Sequence, residues 1–427
     1  MSGGGPVITG AETDALRERF ARVAMRSAPS PLAVLAHGRG ARVWDVDGTE
    51  YLDFLAGIAV NALGHAHPVL VEALSAQAQR LVHVSNYFTT PQAVAFAERL
   101  VRLTGMGETA RVYPANSGAE AIEAALKLAR RTGRPRILAF EQGFHGRTMG
   151  ALALTGKPAL RAPFEPMVPG VQHLPTDLDA LAAALGDDVA AVLLEPIKGE
   201  AGVVPLPPGF LAEARRLTRA HGALLIVDEI QTGAGRTGDW FAFQHELSDP
   251  DDLPDAVVVA KGIGGGVPVG ALVTRGAASD LFTLGQHGST FGGNPLATGV
   301  ADAVLAEIER AGLADAARTL GERLRSGILA LDAPLVTEVR GRGLLLGVGL
   351  AAPVAPAVVS AALERGLIIN AANDDSIRLA PPLIIDDDDV DRFLTIFADA
   401  LAAVGLPAGS PASLPADLPA HFQEDAS

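Results

Sequence analysis

Short apolar runs alternate with helical patterns between about residues 70 and 305, and this alternation restricts the fold more than any other feature of the sequence. The runs include RILAF, AAVLLEPI, ALLIVDEI, AVVVAK and VGALVTR. Strands that are apolar on both faces must be covered on both faces, and strands separated by helices usually pair in parallel. The pattern therefore predicts an α/β fold with a large, mostly parallel sheet covered by helices.

The rest of the chain predicts smaller units around this sheet. ARVWDVDGTEYLDF alternates around Asp47-Gly48 and predicts a β-hairpin. The chain from about residue 310 predicts a smaller α+β domain, because three helical patterns alternate there with the apolar runs RGRGLLLGVGL, GLIIN and SIRLAPPLII. The acidic run 386–389 predicts a solvated start of the last helix. We expect a mobile tail (1–10), a segment packing with the small domain (11–70), a large domain (71–309), the small domain (310–406) and a mobile tail (407–427).

Charge and residue content exclude several classes of function. A formal net charge of -15 opposes binding to a nucleic-acid backbone. No run of about 18 uninterrupted apolar residues is present, and the first residues lack the basic and apolar regions of a secretory signal. The chain has no cysteine, which excludes a thiolate nucleophile and a Cys-ligated metal. We expect a cytoplasmic protein with no nucleic-acid, membrane or metal partner, whose covalent chemistry uses another nucleophile.

Lys261 is the strongest candidate nucleophile among the four lysines of the chain. It ends the apolar run DAVVVAK and precedes GIGGG, which places an amine at a buried strand end beside backbone that can approach a ligand closely. Burial lowers the pKa of a lysine and favours the neutral amine that forms imines. The alternative is a structural lysine; Lys127 fits a solvated helix face, Lys157 a polar turn, and Lys198 follows a strand without a partner motif.

Asp228 and Glu229 end the run ALLIVDEI, at the edge where ligand clefts form in open α/β sheets. A carboxylate at Asp228 could pair with the nitrogen of a pyridine ring and keep it protonated. A helix N-cap and a metal ligand are the alternatives for this pair of acidic residues.

An anion site is predicted where Asn116-Ser117-Gly118 precedes a strong helical pattern, because free N–H groups and a hydroxyl then point at one spot. An ordinary helix cap is the alternative. Two Gly-bounded loops add weaker candidates. In the first loop, Phe144 could stack on a flat ring and Arg147 could bind a carboxylate; the alternatives are that Phe144 is a core side chain and Arg147 a solvated one. In the second loop, HGSTFGGNP, the hydroxyl of Thr290 could bind a phosphate; the alternative is an ordinary tight loop.

As an ordered set, NSGAEA, FHGRT, LEPIKGEAGV, DEIQTGAGRTG, AKGIGGGVPVG, GSTFGGNPLA and RLAPPLII resemble the motifs of the class III aminotransferases, which use pyridoxal 5'-phosphate (PLP), from about residue 28 to 405. The resemblance implies the type I PLP-dependent aminotransferase fold, with 71–309 as the PLP-binding domain. It also implies a homodimer with the site at the subunit interface.

The resemblance implies a role for each matching residue. Lys261 forms the Schiff base with PLP, Asp228 contacts the pyridine nitrogen, and Gln231 lies near the phenolic oxygen of the ring. The remaining implied contacts are stacking by Phe144 with His145 beside it, and phosphate binding by Ser117, Gly118, Ala119 and, from the neighbouring subunit, Thr290.

For substrates, the resemblance implies N2-acetyl-L-ornithine as amino donor and 2-oxoglutarate as acceptor, giving N-acetyl-L-glutamate 5-semialdehyde and L-glutamate in arginine biosynthesis. Arg147 would bind the donor's α-carboxylate and Arg378 that of 2-oxoglutarate or glutamate. Glu200 would cover Arg378 for the donor and swing away for glutamate. Further implied pocket residues are Ser289, Asn61 and Asn86.

Other donors stay open, because GEAG and YFTTPQ depart from the usual stretches near the expected substrate mouth. They are succinyldiaminopimelate, ornithine, succinylornithine and 4-aminobutyrate, with a dual role in arginine and lysine synthesis as one variant. A PLP-dependent aminomutase is a different reaction class, against which Arg378 and Glu200 argue because it needs no 2-oxoglutarate. A noncatalytic PLP-binding protein is the remaining alternative.

Overall fold

A computed structural model describes residues 10–27 and 30–405. The tails predicted over 1–10 and 407–427 therefore lie, except for Gly10, outside the described residues. The strands are β1 (Leu35–Arg39), β2 (Arg42–Asp45), β3 (Glu50–Asp53), β4 (Arg111–Ala115), β5 (Arg136–Phe140), β6 (Val171–Leu174), β7 (Val189–Leu194), β8 (Ile197–Lys198), β9 (Val204–Pro205), β10 (Leu224–Asp228), β11 (Ala256–Val259), β12 (Gly270–Thr274), β13 (Val336–Arg342), β14 (Leu345–Leu350), β15 (Leu367–Ile368), β16 (Asn370–Asn373) and β17 (Ser376–Leu379).

The α-helices surround these strands. They are α1 (Ala11–Val23), α2 (Ala56–Ala59), α3 (Pro68–Ala78), α4 (Pro91–Thr104), α5 (Gly118–Arg130), α6 (Met149–Leu154), α7 (Pro158–Arg161), α8 (Leu178–Ala184), α9 (Phe210–His221), α10 (Pro295–Arg310), α11 (Leu313–Ala330), α12 (Ala355–Glu364) and α13 (Asp387–Val404). Short 3-10 turns include Gly199–Ala201 and Lys261–Gly264. Across the described ranges, each helix is too short or too polar to cross a bilayer.

The predicted mostly parallel sheet is confirmed. Its seven strands lie in the order β4-β12-β11-β10-β7-β5-β6. Only β12 runs antiparallel to its neighbours, β11 and β4, whereas the pairs from β11 to β6 are parallel. Because β7, β10 and β11 are parallel neighbours, the residues that end or follow them come to one edge of the sheet.

Both faces of the sheet are buried, as the continuous apolar runs predict. Successive side chains of a strand point to opposite faces. In β10, Val227 joins one apolar core with residues of α9 and α10, and Ile226 joins a second core with residues of α5. Burying each such side chain stabilises the fold by about 1.5–3 kcal/mol. The strands therefore hold their carboxyl ends in fixed positions.

The chain before and after the large sheet forms two smaller sheets. The predicted hairpin is confirmed, since β2 and β3 pair antiparallel in the order β1-β2-β3-β15. The other sheet has the order β13-β14-β17-β16. The run GLIIN divides between them, because β15 pairs with β3 and β16 pairs with β17. The pairing of β3 with β15 joins the segment 11–70 to the chain after residue 309. We keep the predicted domain boundaries at residues 70 and 309 as a proposal.

The acidic run 386–389 differs from its prediction. Asp386 caps α13 by accepting a hydrogen bond from the Asp389 N–H at 2.9 Å. Asp389 is only 4% exposed and pairs with Arg42 at 2.9 Å. The prediction of a solvated helix start is therefore wrong for Asp389, whose buried carboxylate joins α13 to β2.

Candidate active site

Lys261 lies at the carboxyl edge of the large sheet, two residues after β11. Its backbone has a φ of 49°, in the left-handed region that residues with a side chain rarely adopt. Such conformations persist where the surrounding structure enforces them, often at functional sites. Burial, together with the charge of Arg378, lowers the pKa of Lys261 to about 8, against the opposing effect of nearby carboxylates. An amine with this pKa has a far larger neutral fraction near physiological pH than an ordinary lysine, and the neutral amine is the form that makes imines.

Asp228 ends β10 on the neighbouring strand, and His145 holds its carboxylate. Asp228 Oδ2 lies 2.7 Å from His145 Nδ1, and the two side chains are 3% and 1% exposed. The other oxygen, Oδ1, accepts a hydrogen bond from the Ile230 N–H at 3.0 Å. Asp228 thus has one fixed orientation. His145, which the sequence reasoning placed beside a cofactor ring, contacts the aspartate.

Glu195 is a buried carboxylate that the sequence reasoning missed. It follows β7, and its Oε1 accepts a hydrogen bond from the Phe144 N–H at 2.8 Å. Burial raises its pKa to about 7, and the neighbouring His145 opposes that rise. The signal was available, since Glu195 ends an apolar run as Asp228 does. Glu195 positions the loop that carries Phe144 and His145.

The anion site predicted at 116–118 lies at the start of α5. Ser117 is the N-cap, and its hydroxyl accepts from the Glu120 N–H at 3.2 Å in this structure. The first N–H groups of a helix, here including those of Gly118 and Ala119, have no partner within the helix. Gly270 of β12 lies directly against this turn, because a Cβ built on it would be 2.5 Å from the Ser117 carbonyl oxygen. The free N–H groups and the helix dipole suit a dianionic phosphate.

Arg378 lies on β17, and its guanidinium is buried among hydrogen-bond acceptors. It donates to a carboxylate oxygen of Glu200, to Gln231 Oε1 at 3.2 Å and to Asn370 Oδ1 at 2.7 Å. Arg378 is 1% exposed. Gln231, predicted near the ring oxygen, thus contacts Arg378. Sequence reasoning missed Asn370, because its position opposite Arg378 depends on the pairing of β16 with β17.

Glu200 stays ionised although it is largely buried. Burial opposes its ionisation, but the charges of Arg378, Lys261 and Lys157 outweigh that effect and lower its pKa. Glu200 therefore neutralises the buried charge of Arg378. The structure brings this predicted pair together beside Lys261.

Arg147 and Phe144 lie next to each other on the loop before α6. The guanidinium carbon of Arg147 is 5.7 Å from the centre of the Phe144 ring. Arg147 is exposed and Phe144 half-buried. Arg147 is also close enough to Lys157 for its charge to lower that amine's pKa. Arg147 thus lies on the exposed side of the site.

The remaining predicted residues lie at the rim. Asn61 is beside the loop after Lys261, since a Cβ built on Gly266 would be 3.2 Å from its Oδ1. Ser289 accepts a hydrogen bond from Asn116 Nδ2 at 2.9 Å, next to the start of α5. Asn86 and Thr290 are exposed. Whether these side chains contact substrate or cofactor stays a prediction.

Lys157 differs from its prediction as a residue of a polar turn. It is half-buried, and its Nζ donates to the Glu200 carbonyl oxygen at 2.5 Å. Nothing in its local sequence reveals this contact, because Lys157 and Glu200 are 43 positions apart. The two residues meet only when β5 and β7 pair side by side.

The residues at this edge fit PLP. That cofactor needs an amine for covalent attachment, a carboxylate for its ring nitrogen and a phosphate site. Lys261 follows β11, Asp228 ends β10, and α5 begins after β4 in the same sheet. These three places provide the amine, the carboxylate and the phosphate site. Fold and site together define a PLP-dependent enzyme of fold type I.

Comparison with known proteins gives the family. Residues 23–401 match the family described as Aminotransferase class-III, and the chain belongs to that family. Members of this family are PLP-dependent and act on small molecules.

Similar proteins cover nearly all of the chain. The acetylornithine aminotransferase of Mycobacterium leprae strain TN is 50% identical over 396 residues, which cover 92% of this chain and 97% of that protein. Among solved structures, the ornithine aminotransferase from Toxoplasma gondii ME49 superposes with a TM-score of 0.86 at 34% identity, covering 92% of this chain and 95% of that one. The N-acetylornithine aminotransferase from Stenotrophomonas maltophilia K279a gives a TM-score of 0.77 at 37% identity, covering 90% and 98%.

Proposed function

We propose that this enzyme transfers the terminal amino group of N2-acetyl-L-ornithine to 2-oxoglutarate, giving N-acetyl-L-glutamate 5-semialdehyde and L-glutamate in arginine biosynthesis. The observation that carries the proposal is the Glu200–Arg378 pair, buried next to Lys261. A pocket with a cation that a carboxylate can cover suits two substrates of different charge. The 50% identical relative named acetylornithine aminotransferase supports this choice of donor.

Lys261 and the residues around it perform the proton transfer in this proposal. PLP, when bound, supplies the electron sink that stabilises a carbanion at the substrate carbon. Lys261 Nζ would hold the cofactor, and the same amine, when free and neutral, would carry the proton from the donor's carbon to the cofactor carbon to which Lys261 had been joined. Asp228 would keep the ring nitrogen protonated, Phe144 would pack on the ring, and Ser117, Gly118 and Ala119 would hold the phosphate.

Glu200 selects between the two substrates in this proposal. When the donor enters with its terminal amine first, Glu200 neutralises Arg378, and Arg147 binds the α-carboxylate at the open side. When 2-oxoglutarate enters, its α-carboxylate replaces Glu200 on Arg378. The exchange follows from burial, because a guanidinium that is 1% exposed needs an anionic partner at every stage.

We further propose a homodimer in the cytoplasm. Large apolar side chains are exposed near the predicted neighbour contact: Tyr87 is 90%, Phe88 71% and Phe291 61% exposed. Clusters of this kind are typical of subunit interfaces. In such a symmetric dimer we expect Thr290 to reach the partner's phosphate site, as the resemblance to the family implies. A cysteine-free chain is compatible with a reducing compartment.

The experiment is a steady-state assay of the purified holoenzyme with 2-oxoglutarate and one donor at a time. We expect acetylornithine to give the highest kcat/KM, with mass spectrometry showing that the semialdehyde exceeds one molecule per site, and glutamate accumulates, only when both substrates are present. A higher kcat/KM for ornithine would contradict the proposed donor and favour the activity named for the Toxoplasma structure. A higher value for 4-aminobutyrate or succinyldiaminopimelate would contradict it equally.

A further inference from the structure

Lys157 is held rigidly beside the segment that carries Glu200. The preceding residue, Gly156, donates to the Gly143 carbonyl oxygen at 2.8 Å and accepts from the Gln142 N–H at 2.9 Å. A Cβ built on Gly156 would be 2.0 Å from the Phe140 carbonyl oxygen, so this approach needs glycine. These contacts fix the backbone of Lys157 to the loop after β5. Its side chain then reaches across to the Glu200 carbonyl oxygen.

Four charged groups are close enough to the Lys157 ammonium to influence its pKa. Burial lowers its pKa, the carboxylates of Glu200 and Glu195 oppose that shift, and the guanidinium groups of Arg378 and Arg147 add to it. Lys157 is therefore close enough to both arginines assigned to substrate carboxylates for their charges to lower its pKa. It lies near the Glu200 carboxylate but contacts only the backbone of that residue.

A Glu200 carboxylate that leaves Arg378 needs another positive partner. Moving an ionised carboxylate into a partly buried position without a partner is costly. Three cations influence Glu200 in this structure, namely Arg378, Lys261 and Lys157. In the second half of the reaction Arg378 holds the substrate and Lys261 takes part in proton transfer. Lys157 is then the cation still available.

We propose that Lys157 receives the Glu200 carboxylate when it leaves Arg378, and so acts as a positioning residue for 2-oxoglutarate and glutamate. This inference rests on the proposed exchange of Glu200 for a substrate carboxylate. The Lys157 ammonium already touches the carbonyl oxygen of Glu200, so rotation of the Glu200 side chain alone can bring its carboxylate to the same ammonium. Lys157 thus stabilises the open pocket without contacting the substrate.

A double-mutant cycle on the holoenzyme tests the inference, with glutarate as the probe. Glutarate has no amino or keto group, so it cannot react, but its carboxylate must displace Glu200 to reach Arg378. Isothermal titration calorimetry measures its Kd. We expect Lys157→Gln, which keeps a hydrogen-bond donor but loses the charge, to raise the Kd about fivefold to tenfold. Lys157→Arg should restore the Kd to within about twofold.

The effect of Lys157→Gln is measured a second time in the Glu200→Gln variant. The neutral amide needs no cation, so Lys157→Gln added to Glu200→Gln should change the glutarate Kd by less than about twofold. An equal loss in both backgrounds would overturn the inference, because Lys157 would then act on the ligand or on the fold. An unchanged Kd in Lys157→Gln, or no glutarate binding to the unmodified enzyme, would also overturn it. If acetylornithine fails as a donor, the proposed function is contradicted, but the double-mutant cycle still tests the role of Lys157 because glutarate binding needs no amino donor.

Discussion

Burial gives Lys261 its reactivity, because water no longer stabilises the charged ammonium at the end of β11. Its pKa falls from 10.5 to about 8, so the neutral form dominates above pH 8 and the protonated form below. We expect the rate of PLP attachment to the apoenzyme to rise about tenfold per pH unit below 7 and to level off above 8. The visible absorbance of the attached cofactor measures this rate.

Lys261→Ala is the control for that pH profile. It should bind PLP without the absorbance of the covalent form and lower kcat by about 10³-fold or more. A profile with its midpoint near pH 10 would show that burial does not determine the reactivity of Lys261. Turnover by Lys261→Ala at the normal rate would contradict its role altogether.

The two arginines should affect different substrates. Arg147→Gln should raise the KM for acetylornithine by about tenfold to a hundredfold and leave that for 2-oxoglutarate nearly unchanged, because it removes one charged contact to the donor. Arg378→Gln should show the reverse preference. Steady-state kinetics with each substrate varied in turn measures both. Equal effects of both variants on both substrates would contradict the assignment of one arginine to each carboxylate.

At the scale of elements, the close approach of β12 to the start of α5 holds the phosphate site together. Gly270→Ala would place a methyl group 2.5 Å from the Ser117 carbonyl oxygen, and backbone cannot give way as a side chain can. We expect the Kd for PLP to rise about tenfold and the protein to lose about 1–3 kcal/mol of stability. Equilibrium dialysis and thermal unfolding of the apoenzyme measure the two effects.

Gly186→Ala is the matched control for that variant. Its added methyl group would meet chiefly an oxygen of the Asp188 side chain, at 3.1 Å, away from the site. We expect no change in the Kd for PLP. If Gly270→Ala bound PLP as tightly as the control, the packing of β12 would not determine the phosphate site.

Elements differ in how far the sequence alone predicts them. The strands around Lys261 and Asp228 were predictable, because burial on both faces gives continuous apolar runs. The division of GLIIN between two sheets was not, since it depends on which distant strands pair with each half. The contact of Lys157 with Glu200 and that of Asn370 with Arg378 are likewise set by strand pairing. Glu195 could have been found, because it ends an apolar run at the same sheet edge as Asp228.

For the whole molecule, the exposed apolar cluster should be covered by a second copy of the chain. Phe88→Asp would place a charge in that interface, so we expect it to shift the protein from dimer to monomer in size-exclusion chromatography with light scattering and to lower kcat/KM at least about tenfold. Thr290→Ala should remain dimeric and weaken PLP binding. A fully active monomer would contradict a site shared between subunits.

The proposed transamination runs in two separate halves, and single-turnover spectroscopy of the holoenzyme can follow each half. Acetylornithine added alone should abolish the visible absorbance of the bound cofactor and release one semialdehyde per site. Later addition of 2-oxoglutarate should restore the absorbance and release glutamate. An absorbance that acetylornithine leaves unchanged, while ornithine or 4-aminobutyrate abolishes it, would contradict the proposed reaction.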